Sequence, residues 1–306
     1  MKRLVLAYDG SPASSSALAW LARRAARERV QVDVVDVVPR ITADDGGVDE
    51  LDGAAAFLHD RVPGVEVAVH RLEGSVLETI AEFAAGSDLL VTGITVGHPI
   101  RAAVSGWMPL RLSTRSRVPL CLVPRGWVAN DGPVTVGVAE DASSDPALAF
   151  AAAEAAATRT TLRVVHAWLL PGPAFSEAGA RPVGPEAMRD RHQRVLDLAV
   201  GTVVERHPDV RLEADLVRDS RSAALLRHAA RSSLLVIGTH GRGLLAGGLL
   251  GSVAQEVLWR AECPVCIVPR VDAAGTTGER SASAGGMLQL EDGGLGTTFE
   301  PELAQQ

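Results

Sequence analysis

The 306-residue chain is 47% hydrophobic and 22% charged, which supports buried cores and excludes a chain disordered throughout. Its net charge of −7 is concentrated past Val271, where six acidic residues stand against Arg280 alone, so the body offers no basic surface for nucleic acid or membrane. Lys2 is the only lysine, which excludes P-loop NTPases, protein kinases and Schiff-base enzymes, whose chemistry needs a lysine inside the fold.

In chain order, residues 3–8 are a short apolar run fit for a buried parallel strand. Ser11-Pro12 reads as an N-cap with proline at the first helical position, and Leu18, Leu21 and Ala25 recur at helical spacing behind it. Further strands are expected over 30–38, 65–72, 89–93 and 119–124, with helices over 76–85 and 107–115. Residues 125–133 link this block to a second one. There Asp145-Pro146 starts the first helix, and the final apolar run ends at Pro269.

The second block repeats the first. At an offset of 130, Ala17-Leu18-Ala19-Trp20 meets Ala147-Leu148-Ala149-Phe150. At an offset of 145, Leu89-Leu90-Val91-x-Gly93 meets Leu234-Leu235-Val236-x-Gly238. At that same offset Pro119-x-Cys121-x-Val123-Pro124-Arg125 meets Pro264-x-Cys266-x-Val268-Pro269-Arg270. The Pro/Gly-rich stretch 171–185 has the length of the 15-residue difference and reads as an inserted loop. Strands alternating with helices predict two tandem α/β domains of doubly wound, five-stranded parallel sheet, Rossmann-like, over 1–126 and 132–270. The aperiodic Gly/Ser/Thr-rich acidic tail 271–306 is expected to be disordered.

Three cysteines are too few for a disulfide scaffold and fit a reducing compartment. Cys263-Pro-Val-Cys266 has redox-motif spacing, but it runs into a strand, where three residues span about 10 Å. No apolar run approaches the length of a membrane span, and the expected location is the cytoplasm.

In an open doubly wound sheet a ligand sits beyond the carboxyl ends of the strands, where strand order reverses. This directs attention past the first and fourth strands of each block. After the fourth strand of the second block stand Gly238, His240, Gly241 and Arg242, and ten residues past Gly241 come Gly251, Ser252 and Val253. Glycines there let backbone approach a phosphate, and a helix starting at Gly251-Ser252 would aim free N–H groups at it.

Gly-x2-Gly-x9-Gly-Ser after a parallel strand, with a Pro-x-x-x-Val-Pro final strand, resembles the universal stress protein family. The likeness covers residues 2–270, as a tandem bacterial member with the adenine nucleotide alpha hydrolase-like fold. The resemblance implies a stress-response regulator that binds an adenine nucleotide: ATP, with ADP or AMP as alternatives, and Mg2+ on the phosphates. It places ribose and phosphates on Gly238, His240, Gly241, Arg242, Gly251, Ser252 and Val253. Adenine would meet the backbone of Val138 and Ala167, with Ala139 beside it and Ile237 lining the pocket. It also implies that the two domains pair through their last strands as an intramolecular pseudo-dimer, with a further homodimer and an unidentified protein partner as expectations.

The two blocks depart from the family pattern in complementary ways. The first keeps Asp9, Gly93 and Gly106, but Val96 and Trp107 replace the second glycine and the serine. Several phosphate hydrogen bonds, worth roughly 1.5–3 kcal/mol each, would be lost. The second block has Ala139 where the family has an aspartate. Asp141 lies two residues later, and a shift restoring it would spoil the register of the following helix. Nucleotide binding is therefore expected in the second block. The alternatives are a ligand-free interaction scaffold and a slow ATPase using Glu140 and Asp141. For turnover there is no positioned base or Walker aspartate, and an enzyme is not expected. His166 is expected to be a packed histidine.

Overall fold

The strands form where short β-branched and leucine-rich runs can be buried on both faces of a sheet. The structure, a computed structural model, describes residues 1–40, 47–96, 108–170, 184–239 and 251–270. The first half holds β1 (Lys2–Ala7), β2 (Val30–Val38), β3 (Glu66–Glu73), β4 (Leu89–Ile94) and β5 (Leu120–Pro124). The second holds β6 (Val134–Val138), β7 (Leu162–Trp168), β8 (Leu212–Arg218), β9 (Leu234–Gly238) and β10 (Val265–Val268). Between them run α1 (Pro12–Ala25), α2 (Gly47–Arg61), α3 (Val76–Phe83), α4 (Met108–Arg115), α5 (Asp145–Thr158), α6 (Pro185–Arg206), α7 (Arg221–Ala229) and α8 (Ser252–Arg260).

All ten strands belong to one sheet, ordered β3-β2-β1-β4-β5-β10-β9-β6-β7-β8. Every neighbouring pair is parallel except β5 and β10, which run antiparallel with Cys121 opposite Cys266. The strand alternation sorts side chains to two faces. Leu4, Leu6, Cys121 and Cys266 point to the face packed by α1, α2, α5 and α6. Val5, Leu120, Leu122 and Val265 point to the face packed by α3, α4, α7 and α8. Each core runs through both halves, and burying each such side chain is worth about 1.5–3 kcal/mol. Residues Met1–Val271 form one compact unit. The tail 272–306 lies outside the described residues.

Two helices were not expected, α2 and α6. The 22 residues of α6 against the 15 of α2 show that much of the 15-residue insertion lengthens a helix. It is not all loop, although 171–183 themselves lie outside the described residues. Cys263 and Cys266 belong to opposite cores, and all three cysteines are free. Burial pushes the Cys121 and Cys266 thiols well above the ordinary range and Cys263 up to about 12, so these are packing groups rather than nucleophiles.

Candidate functional site

Strand order reverses between β1 and β4 and again between β6 and β9. The two junctions close differently. In the first half β1 and β4 stay paired as far as Ala7 and Thr92. In the second half the pairing of β6 with β9 stops at Val136 and Val236. Beyond that point Gly137 and Val138 part from Ile237 and Gly238 and leave a cavity of about 210 Å³.

Of the residues expected to hold a nucleotide, Val138, Ala139, Ala167, Ile237, Gly238, Gly251, Ser252 and Val253 all line this one cavity. His240, Gly241 and Arg242 lie outside the described residues. The cavity also takes in residues that the sequence did not single out: Gly137, Ser144, Val165, Arg221, Leu225 and Thr239.

The glycines serve different ends. A Cβ on Gly238 would stand 3.1 Å from the Ser143 carbonyl oxygen, so this glycine lets the start of α5 approach the strand end. Gly137 does the same for Leu225 of α7, 3.0 Å away. Gly251 has no described residue within 4 Å of its Cβ position, and its φ of −58° is open to any residue. What glycine provides there is clear space at the start of α8, not backbone freedom. Among the described residues no side chain caps that helix, and Gly251, Ser252, Val253 and Ala254 at its start line the cavity. Arg221, the first residue of α7, brings a cation to the same wall.

Behind the wall lies a buried polar chain. His166, 1% exposed, places Nδ1 3.0 Å from the Val138 carbonyl and Nε2 2.9 Å from Nδ1 of His192 on α6. His192 stacks on Trp168, and Glu140 stands 3.8 Å from it. Burial pushes the His192 imidazole below its ordinary value, against the pull of Glu140 and with help from His166, Arg191 and Arg221. His166 is a packed, hydrogen-bonded group, as its place in the strand implied.

A family model for the universal stress proteins matches residues 1–124 and again 132–269. The chain belongs to the universal stress protein family. Universal stress protein Rv1996 of Mycobacterium tuberculosis (strain ATCC 25618 / H37Rv) is 27% identical over 301 residues, covering 88% of this chain and 95% of that protein. A universal stress protein from Archaeoglobus fulgidus DSM 4304 has the same fold at a TM-score of 0.59 and 18% identity, over 88% of this chain and 98% of that one. The functionally unknown protein PA1789 from Pseudomonas aeruginosa PAO1 matches at a TM-score of 0.60 and 16% identity, over 88% of this chain and 92% of that one.

Within this universal stress protein the aspartate question resolves locally. In the first half the Ser11 N–H donates to Asp9 Oδ1 at 3.1 Å. In the second, the Ser143 N–H donates to Asp141 Oδ1 at 3.2 Å, and the Ser143 hydroxyl donates to the same oxygen. Asp141 thus makes the turn that Asp9 makes. The helix keeps the offset of 130, since Gly238 faces Ser143 and Ser144 as Gly93 faces Ala13 and Ser14, so Asp141 forms its turn without any shift of the helix. A 3-10 turn over Ala142–Ser144 stands before α5. Ala139 keeps the strand position, and its N–H donates to Ser144 Oγ at 2.8 Å.

The first-half junction is paired one residue further and is acidic. Gly93 is forced, since a Cβ there would lie 2.1 Å from the Ala13 backbone. Val96 packs against the apolar core. Gly106 and Trp107 lie outside the described residues. The Glu50 carboxylate reaches over Gly10, 2.2 Å from where a Cβ would stand. Burial and the nearby Asp9 and Glu50 charges hold the Asp36 carboxyl above its ordinary value despite Arg71. Burial would raise Asp9 too, but hydrogen bonds from Ser11 and Ser14 outweigh it and keep Asp9 low and ionised. Three carboxylates gathered there repel a phosphate. At the strand positions of Asp9 and Asp36 the second half carries Ala139 and His166, which do not.

Among the described residues no group of three His, Cys, Asp or Glu side chains stands ready to hold a metal ion. No described helix is long and apolar enough to cross a membrane.

Proposed function

We propose that the second half binds an adenine nucleotide, with ATP as the leading ligand, ADP or AMP as alternatives, and Mg2+ carried on the phosphates. The observation that carries this reading is the single cavity in which the base-side residues Val138 and Ala167 meet the phosphate-side residues Gly251 and Ser252. The residues present fit such a ligand. The base side is apolar, Gly251 leaves room for an anion at the start of α8, and Arg221 supplies a charge that needs no lysine.

The site binds and does not turn over its ligand. Glu140 is engaged by Arg191 at 3.4 Å, and Asp141 accepts from Ser143, so both carboxylates considered for hydrolysis are committed elsewhere. Neither lines the cavity. The first half takes no nucleotide and serves as the structural companion of the second. The protein acts as a cytoplasmic stress regulator, nucleotide favouring one conformation whose surface a protein partner reads.

The test is to denature freshly purified protein and identify any released nucleotide, with Gly251→Trp as control. Adenine nucleotide released from wild type and absent from the variant supports the reading. No release, and no binding when millimolar ATP and magnesium are added back, overturns it in favour of a ligand-free scaffold.

A further inference from the structure

When two identical copies pair about a twofold axis, a residue near the axis meets its own counterpart. The two halves of this chain reproduce that arrangement. Cys121 and Cys266 are equivalent positions of the repeat and face each other across β5 and β10. Arg24 on α1 and Glu154 on α5 are likewise equivalent, at the offset of 130 that aligns Ala17 with Ala147. They too meet. Arg24 Nε donates to Glu154 Oε2 at 3.0 Å and Nη2 to Oε1 at 2.5 Å, with the residues 6% and 4% exposed.

Opposite charges at one repeat position make the seam selective. A first half meeting another first half would bury Arg24 against Arg24, and a second half meeting its like would bury Glu154 against Glu154. A like-charged pair loses the bidentate partner across the seam; for Arg24 only Glu28 of its own half, 2.9 Å from Nη1, would remain, and it already serves that one guanidinium. The neighbours sharpen the contrast. Arg23 and Arg27 stand beside Arg24 at the seam, where the second helix carries Ala153 and Ala157. Burial, with Arg23 and Arg24 nearby, pushes the Arg27 guanidinium below its ordinary value even with Asp131 and Glu154 opposing. Pairing two first halves would crowd six arginines at one spot.

We infer that the Arg24–Glu154 pair selects the partner of the last-strand surface: each half accepts the opposite half and refuses a second copy of itself. The occupant is the other half of the same chain, because the linker is tied to both. The Gly126 N–H donates to Ser16 Oγ at 3.0 Å on the first half, and Asn130 Nδ2 donates to the Ser232 carbonyl at 3.5 Å on the second.

The test uses the full chain in four forms. Glu154→Arg gives the seam the charges of a first half meeting itself, and Arg24→Glu gives it those of a second half meeting itself. Each single variant is expected to lower the thermal midpoint by about 5–10 °C. Each should also open the seam, so that trypsin cuts after Arg125 in the linker under conditions that leave wild type intact. The exchanged form, Arg24→Glu with Glu154→Arg, should regain at least half of the lost midpoint and its resistance at Arg125. Single variants as stable and as resistant as wild type would overturn the inference. So would an exchanged form no better than either single change.

Discussion

His166 and His192 hold their ring nitrogens 2.9 Å apart, and one arrangement of protons satisfies the pair. The Val138 carbonyl can only accept, so His166 Nδ1 carries a proton, and in the neutral ring Nε2 must then accept. His192 Nδ1 is therefore the donor in the bridge. The chain of donors runs from α6 to a carbonyl on the rim of the cavity.

Stability should fall on mild acidification. Burial holds His192 and His228 below their ordinary value of 6.5, His228 with the help of Arg163 and Arg227 against Asp215. Above that value both states are neutral and the contribution is whole. As the pH drops below it, the unfolded chain takes up protons first, and stability is lost until the folded-state values are passed. The thermal midpoint should decline from pH 7.5 to 5, and His192→Asn, which keeps a donor without a titrating ring, should flatten the decline. Equal slopes in variant and wild type would contradict this.

The two switch-point glycines and the helix-start glycine should rank sharply in urea unfolding. Gly93→Ala drives a methyl into the Ala13 backbone and should cost about 3 kcal/mol, the upper range for overpacking. Gly238→Ala, facing the Ser143 carbonyl at 3.1 Å, should cost less. Gly251→Ala should cost about 1 kcal/mol, the difference between a fair N-cap and a poor one. A large loss at Gly251 would mean that the position serves folding and not the ligand.

Arg221→Gln should weaken ATP binding by about tenfold or more, the worth of one charge-assisted hydrogen bond, while adenosine binding stays unchanged. Titration calorimetry with ATP, AMP and adenosine separates the cases. Equal losses for all three would move Arg221 from the phosphates to the base.

The strands were legible because buried parallel strands are short apolar runs with clear ends, and residues 30–38 were delimited to the residue. Helices α2 and α6 were not. Gly47–Arg61 carries Asp and Gly among its apolar residues, and α6 leaves Leu198 and Val204 exposed, so neither shows one clean stripe. The phosphate side of the cavity follows from the glycine spacing and the base side from the family resemblance, but Arg221 lies far upstream of that motif and enters only because α7 starts beside α8 at the crevice. That Asp141 repeats the Asp9 turn is not legible, because spacing cannot reveal the 3-10 turn standing before α5. His192 meets His166 only through the placement of α6, and no local pattern marks it.

The antiparallel joint between β5 and β10 also governs how the molecule ends. Two separate five-stranded sheets would expose four unpaired borders, whereas the fused sheet exposes two, β3 and β8. Those borders carry Glu66, His70, Arg71 and Glu73 on one side and Glu213, Asp215 and Arg218 on the other. A neighbouring molecule adding a strand would have to bring its backbone against that charge. The fusion thus halves the number of borders at which strand-by-strand polymerisation could begin.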